Sequence, residues 1–418
     1  MQHKQIAASS LGNVLEWLDF GLFLFLAPMI GEVFFPSHNA QLSQLAAFGV
    51  FAGGFLCRPI GGIIFGHFGD THGRATPLRF SILLITLSTL LIGLLPSYAS
   101  AGILAPILFT LLRLIQGIAI GGEYSGVITY LVESAPKKHR GFIGSFAATG
   151  ANLGFLLATI LILILQNHFD AKMIIDGAWR IPFIIIGLFG AAIAYFRIKL
   201  TETPVYENLK AQHTLAKNPI LTSLCSAKKS MFIIFGLNCM SSGFYYVFFG
   251  YMPEYLQKYL RLSRHTAFSI ELYTLIGMLL IVPIMGILGD RFGRKNMLLF
   301  TTIGMMILAF PLFYLLQFST MFFISLSLGI AVLLSAMDQG NTLTTVVEIC
   351  PANIRYSSIA FSYNLSSAIF GGLSPFIVMG LIHNFNLLAP GYYILFTAGI
   401  GLLSVLCMPK NLTSKEWF

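Results

Sequence analysis

Charge is what this chain has least of. Asp, Glu, Lys and Arg make up only 10% of its 418 residues, against about a quarter in a soluble globular domain, and the mean hydropathy is +0.81. A water-soluble globular enzyme is excluded on that ground. Cysteine is also sparse. Cys57, Cys225, Cys239, Cys350 and Cys407 stand far apart with no C-x-x-C, so neither a disulfide framework nor a metal site is expected, only small buried apolar roles. None of the nine His completes H-E-x-x-H, and G-x-S-x-G and a Gly-rich phosphate loop are both missing. An intramembrane enzyme therefore lacks its catalytic constellation, and no cofactor is expected. The net charge is +9, yet no basic block interleaves with aromatics, which argues against nucleic acid as a partner.

What the chain has in quantity is 40 Gly, 38 Phe and a hydrophobic fraction of 56%. That composition suits lipid-facing helices packed closely through small residues. A hydrocarbon core about 30 Å thick needs roughly 20 apolar residues per crossing helix. Twelve spans are predicted, near 10–34, 43–66, 78–96, 101–132, 142–166, 180–199, 230–256, 267–288, 297–316, 320–347, 356–382 and 389–408. The first is read as a retained span, because the long apolar run after Ser10 has no small-residue cleavage signature.

The basic residues set an orientation. One alternate set of loops holds Lys4, Arg74, Arg79, Lys137, Lys138, Arg140, those from Arg197 to Lys229, Arg291, Arg294, Lys295, Arg355, Lys410 and Lys415. The other set holds only Lys172, Arg180, Lys258, Arg261 and Arg264, while Arg58 and Arg113 fall within spans. The positive-inside rule then puts both termini in the cytoplasm.

The polar stretch Thr201 to Lys229 separates two halves that repeat each other. Gly66-x-x-x-Asp70-x-x-Gly73-Arg74 returns as Gly286-x-x-x-Asp290-Arg291-x-Gly293-Arg294, and Glu133-x-x-Pro136-x-x-x-Arg140 returns as Glu348-x-x-Pro351-x-x-x-Arg355. In the second register Glu123 maps onto Asp338. Two such matches in the same order predict a six-span bundle over 1–200, a central cytoplasmic loop over 201–229 and a second six-span bundle over 230–418.

The repeated loop motif resembles the signature of the major facilitator superfamily. Gly12-Asn13-x-x-Glu16-Trp17-x-Asp19-Phe20, Phe34-Phe35-Pro36, Arg58-Pro59-x-Gly61-Gly62, Gly121-Gly122-Glu123-Tyr124, Arg180-Ile181-Pro182-Phe183 and Glu202-Thr203-Pro204 narrow it to the metabolite:proton symporter family. Gly121 to Gly126 and Tyr251-Met252-Pro253-x-Tyr255-Leu256 look most like its proline/betaine members. The resemblance implies an all-α integral membrane protein of the major facilitator fold, with twelve transmembrane helices in two pseudo-symmetric six-helix bundles. It implies alternating access in a bacterial inner membrane, with the proton as coupling ion and import of a small zwitterion such as proline or a betaine. A di- or tricarboxylate or shikimate-like acid is the alternative substrate, and export the alternative direction. The chain is expected to work as a monomer. Three departures are visible: Thr71, Ala75 and Thr76 stand where basic residues are usual, Leu18 replaces an aromatic, and the sequence ends at Phe418 without the coiled coil of osmosensing members. A weaker loop latch and no osmotic gating are the corresponding expectations.

An ionisable group inside a bilayer needs a partner or a water-filled cavity. Glu16 and Asp19, separated by about 4.5 Å of helical rise, form a pair of acids on one face. Two adjacent carboxylates resist simultaneous ionisation, so one is expected to carry a proton. Arg113 is their expected counter-charge, in a stripe with Gln116 and Glu123 on a span that the resemblance sets opposite the first. Protonation would release Arg113 and bias the facing state, or the pair is a permanent structural bridge. Glu123 is read as a further coupling group or a loop pin, and Asp338 as a second titrating site or a partner of Arg355. Trp17, Phe20, Tyr124, Tyr245 and Tyr246 are candidates for an ammonium cage by cation–π contact, with Arg113 taking the carboxylate. Gln116, Asn152, Asn238 and Asn364 are candidate cavity liners. In the loops, Asp70 is expected to pair with Arg74, and Asp290 with Arg291 and Arg294, Glu133, Arg140, Glu348 and Arg355 completing the clusters of a gate. Packing and interhelical hydrogen bonding are the plainer explanations for the aromatics and amides.

Overall fold

A computed structural model describes residues 2–409; Lys410, Lys415 and the end of the second half as bounded above lie outside the described residues. Among the described residues twelve helices are long and apolar enough to cross a membrane: α1 (Gln5–Phe34), α2 (Gln41–Thr71), α3 (Ala75–Leu94), α4 (Leu104–Ser134), α5 (Lys137–His168), α6 (Arg180–Arg197), α7 (Lys228–Gly250), α8 (Arg264–Phe292), α9 (Arg294–Gln317), α10 (Met321–Glu348), α11 (Ala352–Asn384) and α12 (Pro390–Cys407). Local signals set several boundaries. Asn39 accepts from the Gln41 amide ahead of α2, and Ser263 from the Thr266 amide ahead of α8, satisfying amides that a helix start leaves orphaned. Pro28, Pro59, Pro283 and Pro311 sit inside helices, where neighbouring helices make up for the lost backbone bond.

The packing repeats with the sequence. In the first half α1 lies on α5, α2 on α4, and α3 on α4 and α6. In the second, α7 lies on α11, α8 on α10, and α9 on α10 and α12. Each half presents two helices to the other, α5 meeting α8 and α2 meeting α11, so the contact between halves obeys the same pseudo-symmetry. The apolar cores of α1 and α7 are 89% and 83% buried, which makes these two the central helices. Leu, Ile and Phe side chains such as Leu56, Phe80, Leu188, Leu280, Phe300 and Ile307 stay exposed around the outside. An exposed apolar belt of this extent suits contact with lipid.

Two short helices, Pro204–Ala211 and Pro219–Ser226, occupy the link between halves. They sit at the end of the bundle that carries the two motif loops. The chain ends come to the same place: Arg197 Nη2 donates to the Ser9 carbonyl at 2.6 Å, and Lys295 Nζ to that of Met408 at 2.5 Å. Among the cysteines only Cys239 and Cys350 are buried; Cys57 is half-buried and Cys225 and Cys407 are exposed, which corrects the expectation that all five are buried.

Close helix contact depends on glycine. Gly54, Gly61, Gly117 and Gly121 let α2 and α4 approach backbone to backbone, since a Cβ at Gly61 would strike the Ile118 carbonyl and one at Gly121 the Arg58 carbonyl. Gly121→Leu is expected to cost about 1–3 kcal/mol of stability through overpacking, read as a lowered melting temperature in detergent. Gly399→Leu, whose side chain would enter open space, should leave it unchanged.

Candidate functional site: a two-part gate over a central cavity

Each loop motif is built around a glycine in the left-handed region, Gly73 at φ 110° and Gly293 at φ 88°, a conformation side chains resist. The reversal it allows starts the next helix at once and folds an arginine back onto the aspartate four residues earlier. Arg74 Nη1 lies 2.9 Å from Asp70 Oδ1, and Arg294 Nη2 lies 2.8 Å from Asp290 Oδ1. Arg291, expected to share Asp290, is exposed.

Both aspartates then reach across to the opposite half. Asp70 accepts from the backbone amides of Tyr356 (3.1 Å) and Ser357 (2.9 Å) near the start of α11. Asp290 accepts from those of Gly141 (2.9 Å) and Phe142 (3.1 Å) near the start of α5. A carboxylate at a helix N-terminus meets unsatisfied amides and the positive end of the helix dipole. Glu133 joins Arg74 at 3.3 Å to Arg355 at 2.8 Å. In the mirror cluster Glu348 takes Arg294 at 2.5 Å, with Arg140 alongside. The glutamates thus bind arginines from both halves. Gly66 against Ser357, and Gly141 against Gly286, let the backbones touch where these charges meet. This end is closed.

The central link is tied into the gate. Glu202 accepts from the Arg74 amide at 2.7 Å, and Thr203 Oγ1 donates to Glu133 at 2.7 Å. Burial by itself would lower the Arg74 pKa, but the Glu133 and Asp70 carboxylates outweigh it and hold the value raised. Cys350 lies among the same groups, near Arg355 and Asp70, and burial pushes its thiol up to about 12.

Below the gate, the first half holds two separate ion pairs. Arg113 Nη1 meets Asp19 Oδ2 at 2.9 Å and Gln116 Oε1 at 2.9 Å, while Thr89 donates to Asp19 at 3.0 Å and accepts from Gln116 at 2.8 Å. Arg197 Nη1 meets Glu123 Oε2 at 2.6 Å, and Ser81 donates to the same oxygen. Glu16 joins neither. Both of its carboxylate oxygens are buried without a hydrogen-bond partner, and the charged groups that act on it are Arg58, Glu123 and Arg197. The expected Glu16–Asp19 pair is therefore corrected, because the two acids face different partners. Glu123 is fully buried on Arg197, which ties it to the Ala8 and Ser9 carbonyls at the start of α1. Asp338 accepts from Thr342 at 2.7 Å, and Arg355 pairs with Glu133, so the proposed Asp338–Arg355 bridge is absent.

A cavity of about 30 Å³ lies between the halves. Trp17, Tyr124 and Asn152 line it from the first half; Ser241, Ser242, Tyr245, Tyr246, Gln339, Tyr363 and Ser367 line it from the second. Two bonds cross it: Tyr245 donates to Asn152 Oδ1 at 3.1 Å, and Asn152 Nδ2 to Gln339 Oε1 at 2.9 Å. Four of the five expected cage aromatics face this space. Phe20 instead packs on Phe51, Phe55 and Phe155. Arg113 does not line the cavity; its guanidinium stands 4.0 Å from the Phe23 ring centroid, with Phe109 and Phe183 beyond. Gln116 is spent on Arg113 and Thr89. Asn238 donates to the Tyr363 carbonyl and Ser367, and Asn364 to the Gly121 and Ala360 carbonyls. These three polar residues bind helices together and do not line the cavity.

The sequence reading passed over Arg197, Tyr363, Ser241, Ser242 and Gln339, and gave Glu202 and Thr203 no role. Glu202-Thr203-Pro204 was a visible signal. Arg197 carried none, because its place at a span end made it look like a loop cation.

This is the architecture of a membrane carrier, and the comparisons agree. The family model of the Major Facilitator Superfamily matches residues 9–375, and the chain belongs to that family. It is 36% identical to the glycine betaine/proline/ectoine/pipecolic acid transporter OusA of Dickeya dadantii (strain 3937), covering 98% of this chain and 83% of that protein. It is 35% identical, with the same coverage, to the proline/betaine transporter of Escherichia coli (strain K12). The proton:xylose symporter XylE, solved with 6-bromo-6-deoxy-D-glucose, superposes with a TM-score of 0.79 at 18% identity, over 97% of this chain and 94% of that one. The protein is a twelve-span transporter of small molecules, and not an enzyme.

Cys350 reports on the gate. Asp70→Ala removes two helix-start hydrogen bonds and should open it. Exposure would return the thiol toward the ordinary value near 8.5, raising maleimide labelling of Cys350 by roughly tenfold or more, read site by site by mass spectrometry. Exposed Cys225 and Cys407 should label as before.

Proposed function

We propose that the protein is a proton-coupled symporter that imports a small zwitterion, proline or a betaine, by alternating access. The observation that carries this is an aromatic cavity between the halves beside a first half holding the buried Asp19–Arg113 pair. Four of the aromatics at the cavity belong to the expected cage. Such faces suit a methylated or secondary ammonium, at up to about 2 kcal/mol when desolvated. The relatives named above, transporters of proline and betaine, point to the same substrate class.

The coupling step in this reading is local. Asp19 ionised holds Arg113, Gln116 and Thr89 in one network that ties α1 to α4 and α3. A proton on Asp19 removes the charge that fixes Arg113, and the two facing states then differ in energy with the protonation state. The gate at the motif end closes while the opposite end admits substrate, and the ion pairs exchange for water as the halves rock. Asp338 and Glu123 are secondary candidates for proton transfer, one in each half at matching positions. With the motif end cytoplasmic, the protein sits in a bacterial inner membrane with both termini in the cytoplasm, and the monomer carries the whole pathway.

Proteoliposomes loaded at alkaline pH and diluted into acidic buffer test this with labelled proline and glycine betaine. Uphill uptake that a protonophore abolishes is expected. Asp19→Asn should lose accumulation while substrate exchange continues, and undiminished accumulation in that variant would remove Asp19 from the coupling role. Uptake of citrate or shikimate in place of the zwitterions would replace the substrate class.

A further inference from the structure

Buried polar atoms without partners are costly in a membrane interior, and here several of them gather at and behind two rings that line the cavity. Arg58, on α2, is 1% exposed. Its Nε donates to Asn364 Oδ1 at 3.2 Å, but its Nη2 has no partner. The guanidinium lies over the rings of Phe55 at 5.0 Å and Trp17 at 5.8 Å. Trp17 Nε1 is also buried without a partner, the Tyr246 hydroxyl is buried without a well-formed hydrogen bond, and the phenol oxygen faces the Arg58 guanidinium within its hydrogen-bonding reach. Trp17 and Tyr246 both line the cavity. The two rings come from opposite halves, with Arg58 beside them.

All three groups have a hydrogen left to donate: a guanidinium N–H, an indole N–H and the O–H of a phenol whose oxygen faces the guanidinium. Buried donors left unpaired are unfavourable, and three together call for an acceptor with more than one oxygen. A carboxylate fits this requirement, and arginine is the side chain best suited to bind one. Arg113 is the rival, and its Nε and Nη2 are also buried without partners, but Asp19 satisfies its charge and none of the rings around it lines the cavity, whereas Trp17 beside Arg58 does. Arg58 has no carboxylate within ion-pair distance among the described residues; Glu16 is close enough to influence it without touching it.

We propose that Arg58, with the indole N–H of Trp17 and the hydroxyl of Tyr246, is the subsite that binds the substrate carboxylate, a role the sequence assigns to Arg113. The claim deepens the transport reading above and rests on it for the location of the substrate. Because the donors come from α1 and α2 on one side and α7 on the other, a bound carboxylate draws the halves together. The cavity has room for little more than water, so the ligand enters with the halves apart and is enclosed as they close.

The test uses ligand pairs that differ at the carboxylate, proline against prolinamide and glycine betaine against choline, with binding read by calorimetry on the purified full chain. The wild type should favour the carboxylate member by about tenfold or more, as expected for a site with buried donors. Arg58→Gln should reduce that preference to about twofold or less, and Arg58→Lys should keep part of it. Arg113→Gln should keep the preference while losing transport. A full preference in Arg58→Gln overturns the proposal, as does a wild type that favours no carboxylate in any pair. If the wild type binds shikimate or citrate and neither zwitterion, the substrate reading falls; loss of that acid in Arg58→Gln then supports the subsite, and its retention overturns it. If Arg58→Gln does not fold, Tyr246→Phe, which removes one hydroxyl, decides: a preference weakened several-fold supports the subsite, and an unchanged one overturns it.

Discussion

The matching of buried charge governs this structure. In a low-dielectric interior an unpaired ion is costly, and removing one member of a buried pair is far more disruptive than removing both. Nearly every arginine in the interior is therefore found against a carboxylate, and where the partner comes from decides what the pair does. Partners from within one half hold that half rigid, as Arg197 with Glu123 and Arg113 with Asp19 do. Partners from opposite halves, as in Arg355 with Glu133 or Asp290 with the amides of α5, can be separated only by moving one bundle against the other.

The gate joins two effects that are weak apart. Glycines bring backbones to contact distance at Gly66, Gly141 and Gly286, which excludes water and strengthens the electrostatics between the charged groups there. The helix starts of α5 and α11 supply fixed positive ends, so the aspartates bind backbone that is already organised. Glu202 and Thr203 extend the cluster to the link between halves, which makes the link part of the closed state. The same constraint explains the interior exceptions. Glu16 and Arg58, behind the Trp17 ring that lines the cavity, keep buried atoms unmatched, and in the proposed reading a proton and a ligand complete those sets.

Much of the gate was legible from the chain alone. A nine-residue loop motif with its own local reversal and i, i+4 ion pair carries its geometry in the sequence, and its repetition specified which residues correspond. Which half each glutamate would bind was not legible. Glu133 and Arg140 are close in sequence, yet Glu133 meets Arg355, because the pseudo-symmetry axis exchanges partners between halves. The pair of acids on α1 shows a finer failure: three residues of spacing put Glu16 and Asp19 near one face, but the small rotation between them is enough to send one toward α4 and α3 and the other toward Arg58.

Hydropathy, positive-charge placement and the internal repeat determined the class, the number of spans and the family, because the bilayer imposes length and polarity rules that act residue by residue. Tertiary structure alone decided which aromatics face the cavity, which arginine touches a carboxylate and which does not. Those outcomes depend on the rotation of each helix about its own axis against its neighbours, and glycine contacts many residues apart fix that rotation. A sequence lists the ionisable groups of a membrane protein; only the packed bundle shows which of them remain without a partner.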